Sequence, residues 1–99
     1  MVKHIVLFQL KKDLGTDEKR RAMEQFKAGI EALPSQIACI RSIFVGFNIN
    51  EDEPWDICLN SEFDTLNDVR SYSVNPLHKA VAGALKPYLS NRSCVDYEF

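Results

Sequence analysis

The run HIVLFQL at residues 4–10 leaves almost no polar face. In an extended backbone successive side chains point to opposite sides. His4, Val6 and Phe8 then share one face, while Ile5 and Leu7 share the other. The run IRSIFVGFN, Ile40 to Asn48, repeats the pattern with Ile43, Val45 and Phe47 set against Phe44. Strands that are apolar on both sides need both sides covered. Helices of the same chain can cover only one side of a sheet. The other would expose more apolar area than a soluble monomer usually carries. The simplest cover is a second copy related by a twofold axis. A homodimer through the open face of the sheet is therefore the expected assembly.

The remaining pattern fixes the element order. GTDEKRRAMEQFKAGIEALP reads as a helix with Thr16 as N-cap, Asp17 and Glu18 in the first turn and Pro34 as the stop. Its apolar stripe is Ala22, Met23, Phe26, Ile30 and Leu33, at helical spacing. WDICLNSEF alternates, with Ile57, Leu59 and Phe63 opposed to Asp56, Cys58, Asn60 and Glu62, which marks a third strand. A short helix over about 65–72 follows. Asn75-Pro76 starts another, with Asn75 as N-cap and Pro76 where a missing N–H costs nothing. Leu77, Ala80, Val81, Ala84, Leu85 and Tyr88 form its stripe. CVDYEF reads as the fourth strand. The order β-α-β-β-α-α-β is an α+β, ferredoxin-like pattern: a four-stranded antiparallel sheet with its second helix broken in two, all helices on one face. The sequence shows no linker, repeat or low-complexity tract, so residues 1–99 are expected to form a single domain.

Composition narrows the function classes. The 99 residues are 45% hydrophobic and carry a formal charge of −2. That balance gives no electrostatic reason to expect nucleic acid or an anionic membrane as a partner. No apolar run approaches the roughly 20 residues that span a bilayer. The N-terminus is too short and too soon recharged for a secretory signal. Cys39, Cys58 and Cys94 form no CxxC pair and read as small buried hydrophobes in a reducing, cytoplasmic setting.

No glycine-rich phosphate loop, nucleophile elbow or HExxH is present, and no Cys/His spacing suggests a metal or cofactor. Chemistry therefore rests on a few side chains. With Asn75 as cap, His78 falls at N3, where the helix dipole disfavours an imidazolium. A neutral His78 could accept or donate a proton near pH 7. The bend Ser73-Val74-Asn75 brings Tyr72 back toward it, and a phenol beside a neutral imidazole is an acid–base pair. His4, on strand one, points toward the same core. Against this, Asn-Pro is a common helix start, and a first-turn histidine is often a satisfied or surface residue.

The opening VKHIVLF, the helix ending in LP, the strand ending in SEF and the segment YSVNPLH together resemble the stress-responsive A/B barrel (Dabb) domain over essentially the whole chain. NPLH matches the family's usual H-P-x-H or N-P-x-H. The resemblance implies a dimeric barrel in which two four-stranded sheets close face to face. It also implies a pocket between sheet and helices like that of the family's plant polyketide cyclase, where a tyrosine and a histidine matching Tyr72 and His78 do the acid–base work. His4 matches a further pocket histidine. Ile57 stands where that cyclase has a histidine, and Phe26 where it has a tyrosine, so a more apolar pocket is implied. Some family members bind a divalent metal near the dimer interface.

The expected catalytic pair is thus His78 and Tyr72, with His4, Val6, Phe8, Phe26, Ile57, Leu59 and Val81 lining a site for a small hydrophobic or polyketide-like ligand. A cofactor-free cyclase or isomerase is one reading. A non-catalytic dimeric stress-related or ligand-binding protein is the second, and an antibiotic-biosynthesis-type monooxygenase on the same barrel the third.

Overall fold

A computed structural model describes residues 1–99. Strand β1 (Val2–Leu10) leads into helix α1 (Thr16–Glu31) and strands β2 (Ile40–Phe47) and β3 (Ile57–Phe63). Helices α2 (Leu66–Val74) and α3 (Pro76–Leu85) follow, then strand β4 (Leu89–Glu98). Single 3₁₀ turns at Leu33–Ser35 and Lys86–Tyr88 carry Pro34 and Pro87. The sheet order is β2-β3-β1-β4, antiparallel at every pairing. This is the ferredoxin-like arrangement expected from the pattern.

Register determines what the helices cover. The row Val45–Leu59–Val6–Cys94 runs across the inner face, flanked by Phe47–Ile57–Phe8–Arg92 and Ile43–Ser61–His4–Asp96. Val6, Phe8, Val45, Ile57 and Leu59 are buried beneath Ala22, Phe26 and Ile30 of α1. The opposite face carries the row Phe44–Asn60–Ile5–Val95. Phe44 is 61% exposed and Val95 53% exposed, so the second apolar face is open in one chain. β4 is exposed along nearly its whole length.

The free edge of β2 is closed by α1. Lys27 Nζ donates to the Val45 carbonyl at 2.6 Å, and the Val45 N–H donates to Glu31 Oε2 at 3.0 Å. Lys27 and Glu31 also pair with each other at 2.7 Å. Two backbone groups that would invite another strand are thereby satisfied. Partial burial pushes the Glu31 carboxyl up, but Lys27 and the Val45 N–H outweigh it and hold the group below its ordinary value.

Several boundaries differ from the sequence reading. Gly15, not Thr16, is the N-cap of α1, and no side chain caps that helix. Thr16 instead takes the first helical position, since the extended backbone at Gly15 already meets the cap's conformational need. α2 continues to Val74, two residues beyond Tyr72, and is capped by the Thr65 side chain accepting from the Asp68 N–H at 3.1 Å. Strand three starts at Ile57, not Trp55. None of the three cysteines is fully buried: Cys39 and Cys58 are half-buried, Cys94 is exposed, and all are free. No helix is long and apolar enough to cross a membrane.

Candidate functional site

Two local features place the central side chains. Asn75 Oδ1 accepts from the Leu77 N–H at 2.9 Å, and Pro76 opens α3, so His78 lies in its first turn. The break lets α2 and α3 fold against one another and brings the Tyr72 and His78 rings to 4.3 Å between centroids, tilted by 48°. Beside them, β1 presents His4, whose ring meets Tyr72 edge-on at 6.2 Å.

These residues form the wall of a cavity of about 480 Å³ between the helices and the β1–β4 half of the sheet. His4, Val6, Phe8, Phe26 and Leu59 contribute from the expected set, with Tyr72 and His78. Ile57 and Val81 do not. Ile57 is buried in the core under α1, and Val81 turns toward α1, where its methyl groups press on Gly29. The cavity exists because α3 offers Ala82 and Gly83 there, which reach too little to fill the space.

The hydrogen bonds orient the rings of both histidines and place a proton on Nδ1. A carbonyl oxygen only accepts, so the 3.1 Å contact from His78 Nδ1 to the Ser73 carbonyl places the proton on Nδ1. In the neutral ring Nε2 then carries the lone pair. Burial lowers the His78 pKa, outweighing the bond to Ser73, and the charges of His4 and Arg92 push the same way. Loss of water is the largest of these causes. His4 Nδ1 faces Asp96 Oδ1 at 2.5 Å, and a carboxylate likewise fixes the proton on Nδ1. Tyr72 is 1% exposed, its hydroxyl is the sole buried side-chain polar atom without a partner, and burial pushes its pKa well up. At neutral pH it is a phenol, able to donate.

Asp96 was not visible as a partner of His4, since only the register of β4 against β1 pairs the two. The signal was the alternation Cys94-Val95-Asp96, which puts a thiol and a carboxylate on one face. Cys94 Sγ lies 3.7 Å from His4 Nδ1 and 3.9 Å from Asp96 Oδ2. His4, Cys94 and Asp96 thus form a set of metal-ligand types within 4.8 Å, which sequence spacing did not suggest. Two ligands of one tetrahedral zinc, each about 2.0–2.1 Å from the ion, stand about 3.3 Å apart. His4 and Asp96 would have to separate to share one. Burial and the Asp96 charge also push the Cys94 thiol up, away from the thiolate a metal needs.

An antiparallel sheet with helices on one face, enclosing an apolar cavity with a phenol and two imidazoles in its wall, defines a ferredoxin-like protein with room for a small molecule. The profile of the Stress responsive A/B Barrel Domain (Dabb) family matches residues 2–99, and the chain belongs to that family. Similar proteins include an uncharacterized protein of Streptomyces coelicolor, 33% identical over 104 residues and covering 100% of both chains. A crystal structure from Bacteroides fragilis, described as a dimeric protein of unknown function with a ferredoxin-like fold, is 51% identical. It superimposes with a TM-score of 0.97 over 99% of this chain and 95% of the other. The hydroxynitrile lyase of Passiflora edulis has the same fold at 17% identity, with a TM-score of 0.78 over 97% of this chain and 90% of its own.

Proposed function

We propose that this protein is a cofactor-free acid–base catalyst acting on a small apolar carbonyl compound, of the cyclase or isomerase type. The observation that carries the reading is the buried, unpartnered Tyr72 hydroxyl beside a neutral His78 in the wall of an apolar cavity. A native fold rarely leaves a buried hydroxyl unsatisfied without a use. A carbonyl oxygen brought against Tyr72 would supply the missing acceptor, and its bond would strengthen as the oxygen gains charge. His78 Nε2 takes the proton from the adjacent carbon. Because the phenol is a very weak acid here, Tyr72 stabilises the enolate by hydrogen bonding and keeps its proton. His4, held by Asp96, orients the ligand from the β1 side, next to Tyr72.

The working unit in this reading is a homodimer. Its support is the open face bearing Phe44, Ile5 and Val95, together with the dimeric description of the Bacteroides relative. The residues 1–99 then act as one domain. Light scattering coupled to size exclusion tests the assembly, and a stable monomer would contradict it.

The chemistry is tested by deuterium exchange at the α-carbon of an aryl alkyl ketone, followed by NMR. His78→Ala and Tyr72→Phe should each slow exchange by roughly 10²-fold or more, the usual contribution of a positioned acid or base. Undiminished exchange in both variants would remove the catalytic reading and leave a non-catalytic ligand-binding dimer.

A further inference from the structure

The charges around the cavity are one-sided. Lys79, Lys86 and Arg92 all belong to its wall, and none of its fifteen lining residues is an aspartate or glutamate. The chain as a whole is acidic, with fourteen acids against twelve bases. Lys79 lies in α3 and Lys86, seven residues on, caps its C-terminal end, with Gly83 between them. Arg92 stands opposite on β4, in register with Phe8 on the inner face. None of the three is paired with a carboxylate, whereas Lys3, Lys19, Lys27 and Arg41 all are. The nearby carboxylate on β4, Asp96, is engaged by His4. Arg92 also lies close enough for its charge to oppose protonation of His78.

From this we infer that the ligand of the cavity is an amphiphile, with an apolar body against Val6, Phe8, Phe26 and Leu59 and an anionic head, carboxylate or phosphate, held by Lys79, Lys86 and Arg92. The inference rests on the reading of the cavity as a small-molecule site and names the class of molecule it takes. Three unpaired cations on the wall of an apolar space attract an anion and repel a cation of the same shape. A head bound to this cluster fixes which end of an unbranched apolar body approaches Tyr72 and His78. The cations therefore set orientation as well as affinity. Guanidinium and ammonium groups donate charge-assisted hydrogen bonds to either kind of oxyanion.

The experiment is calorimetric titration of the wild-type protein with decanoate, decyl phosphate, decanol and decylamine, at low and at high salt. Decanoate or decyl phosphate should bind roughly tenfold tighter than decanol, the worth of a hydrogen bond to a charged group. Decylamine should bind weakest, and salt should erode the anion's advantage. The better of the two anions identifies the head group. In the triple variant Lys79→Gln, Lys86→Gln, Arg92→Gln, with its fold checked by circular dichroism, anion and alcohol should bind alike. Equal binding of decanoate, decyl phosphate and decanol by the wild type would overturn the inference while leaving the cavity as an apolar site. A preference that survives the triple variant would overturn it as well. Binding of none of the four would remove the small-molecule site itself.

Discussion

The Tyr72 and His78 rings stand 4.3 Å apart, yet the Tyr72 hydroxyl makes no hydrogen bond to His78 or to any other group. The two are held by packing, and their polar ends are left for something else. His78 spends Nδ1 on the Ser73 carbonyl, and Tyr72 spends nothing. Such an arrangement costs stability, which makes it measurable.

Tyr72→Phe should therefore stabilise the protein, by about 1 kcal/mol, because it removes a buried donor without removing the ring that packs against Phe63 and His4. Urea denaturation checks this. A tyrosine with a purely structural role predicts the opposite sign. The same variant should change the alkaline limb of stability. Burial raises the Tyr72 pKa above its ordinary value of 10.0, so above that pH the unfolded chain ionises first and the native state loses stability. The phenylalanine variant lacks that contribution.

His78 sets the acid side. Burial places its folded pKa below the ordinary 6.5. As pH falls through 6.5 the unfolded chain takes up a proton that the native state refuses. Stability then declines until the folded pKa is reached, below which the loss is constant. His78→Gln should flatten this slope in denaturation curves recorded across the acid range. The catalytic proposal adds that proton abstraction stays constant through neutrality and falls only at the depressed pKa, so α-exchange and stability should not decline together.

Lys27 and Glu31 close the edge of β2, and removing both should open it. Lys27→Met with Glu31→Met strips both side-chain partners from the Val45 carbonyl and N–H, at a cost of roughly 1 kcal/mol given the partial exposure of the Lys27 and Glu31 side chains. The stronger effect should be on association, since an open edge strand pairs with other chains. Static light scattering over time should show slow growth beyond the wild-type assembly. Glu31 has a depressed pKa, so its contribution is present above the ordinary 4.5 and is lost as pH falls through the folded value. Wild-type protein should approach the variant's behaviour in that range.

How far the sequence could be read follows from the range of each interaction. The strands were legible because alternation is local, and α3 because Asn75 and Pro76 specify their own conformations through a side-chain cap and a ring. Tyr72 and His78 were legible together because only five residues separate them. Asp96 was not, because its partner His4 lies ninety-two positions away and a one-residue slip of β4 would point it to the other face. The cationic wall was missed for a similar reason: Lys79 and Lys86 look like an ordinary solvated helix face until Arg92 arrives from another element. Ile57 and Val81 were misplaced because period alone does not tell which part of an apolar face lies under a helix and which under a void. Thr16 was misassigned by one residue because its composition fits a cap, while the backbone at Gly15 takes that role.

The separation of α1 and α3 is set at one point. A Cβ on Gly29 would lie 2.9 Å from Val81 Cγ1 and 3.1 Å from Cγ2, closer than carbon atoms pack. Alanine at a helix interior normally gains about 1 kcal/mol over glycine. At Gly29 that gain should be reversed, because overpacking costs about 1–3 kcal/mol and Val81, branched at Cβ, has little rotamer freedom with which to retreat. Gly29→Ala should therefore destabilise by up to about 2 kcal/mol in urea titration. Relief has to come from α3 moving away from α1. His78 and Ala82 ride on that helix, so the cavity should change shape with it, and ligand affinity should fall although residue 29 lies outside the cavity. Val81→Ala removes the two methyl groups that create the conflict. In the double variant the clash is gone and the helix propensity of alanine is recovered, so the two substitutions should be strongly non-additive, with the pair more stable than either change predicts alone. Additive losses would show that α3 is positioned elsewhere, and that Gly29 does not hold the spacing on which the cavity depends.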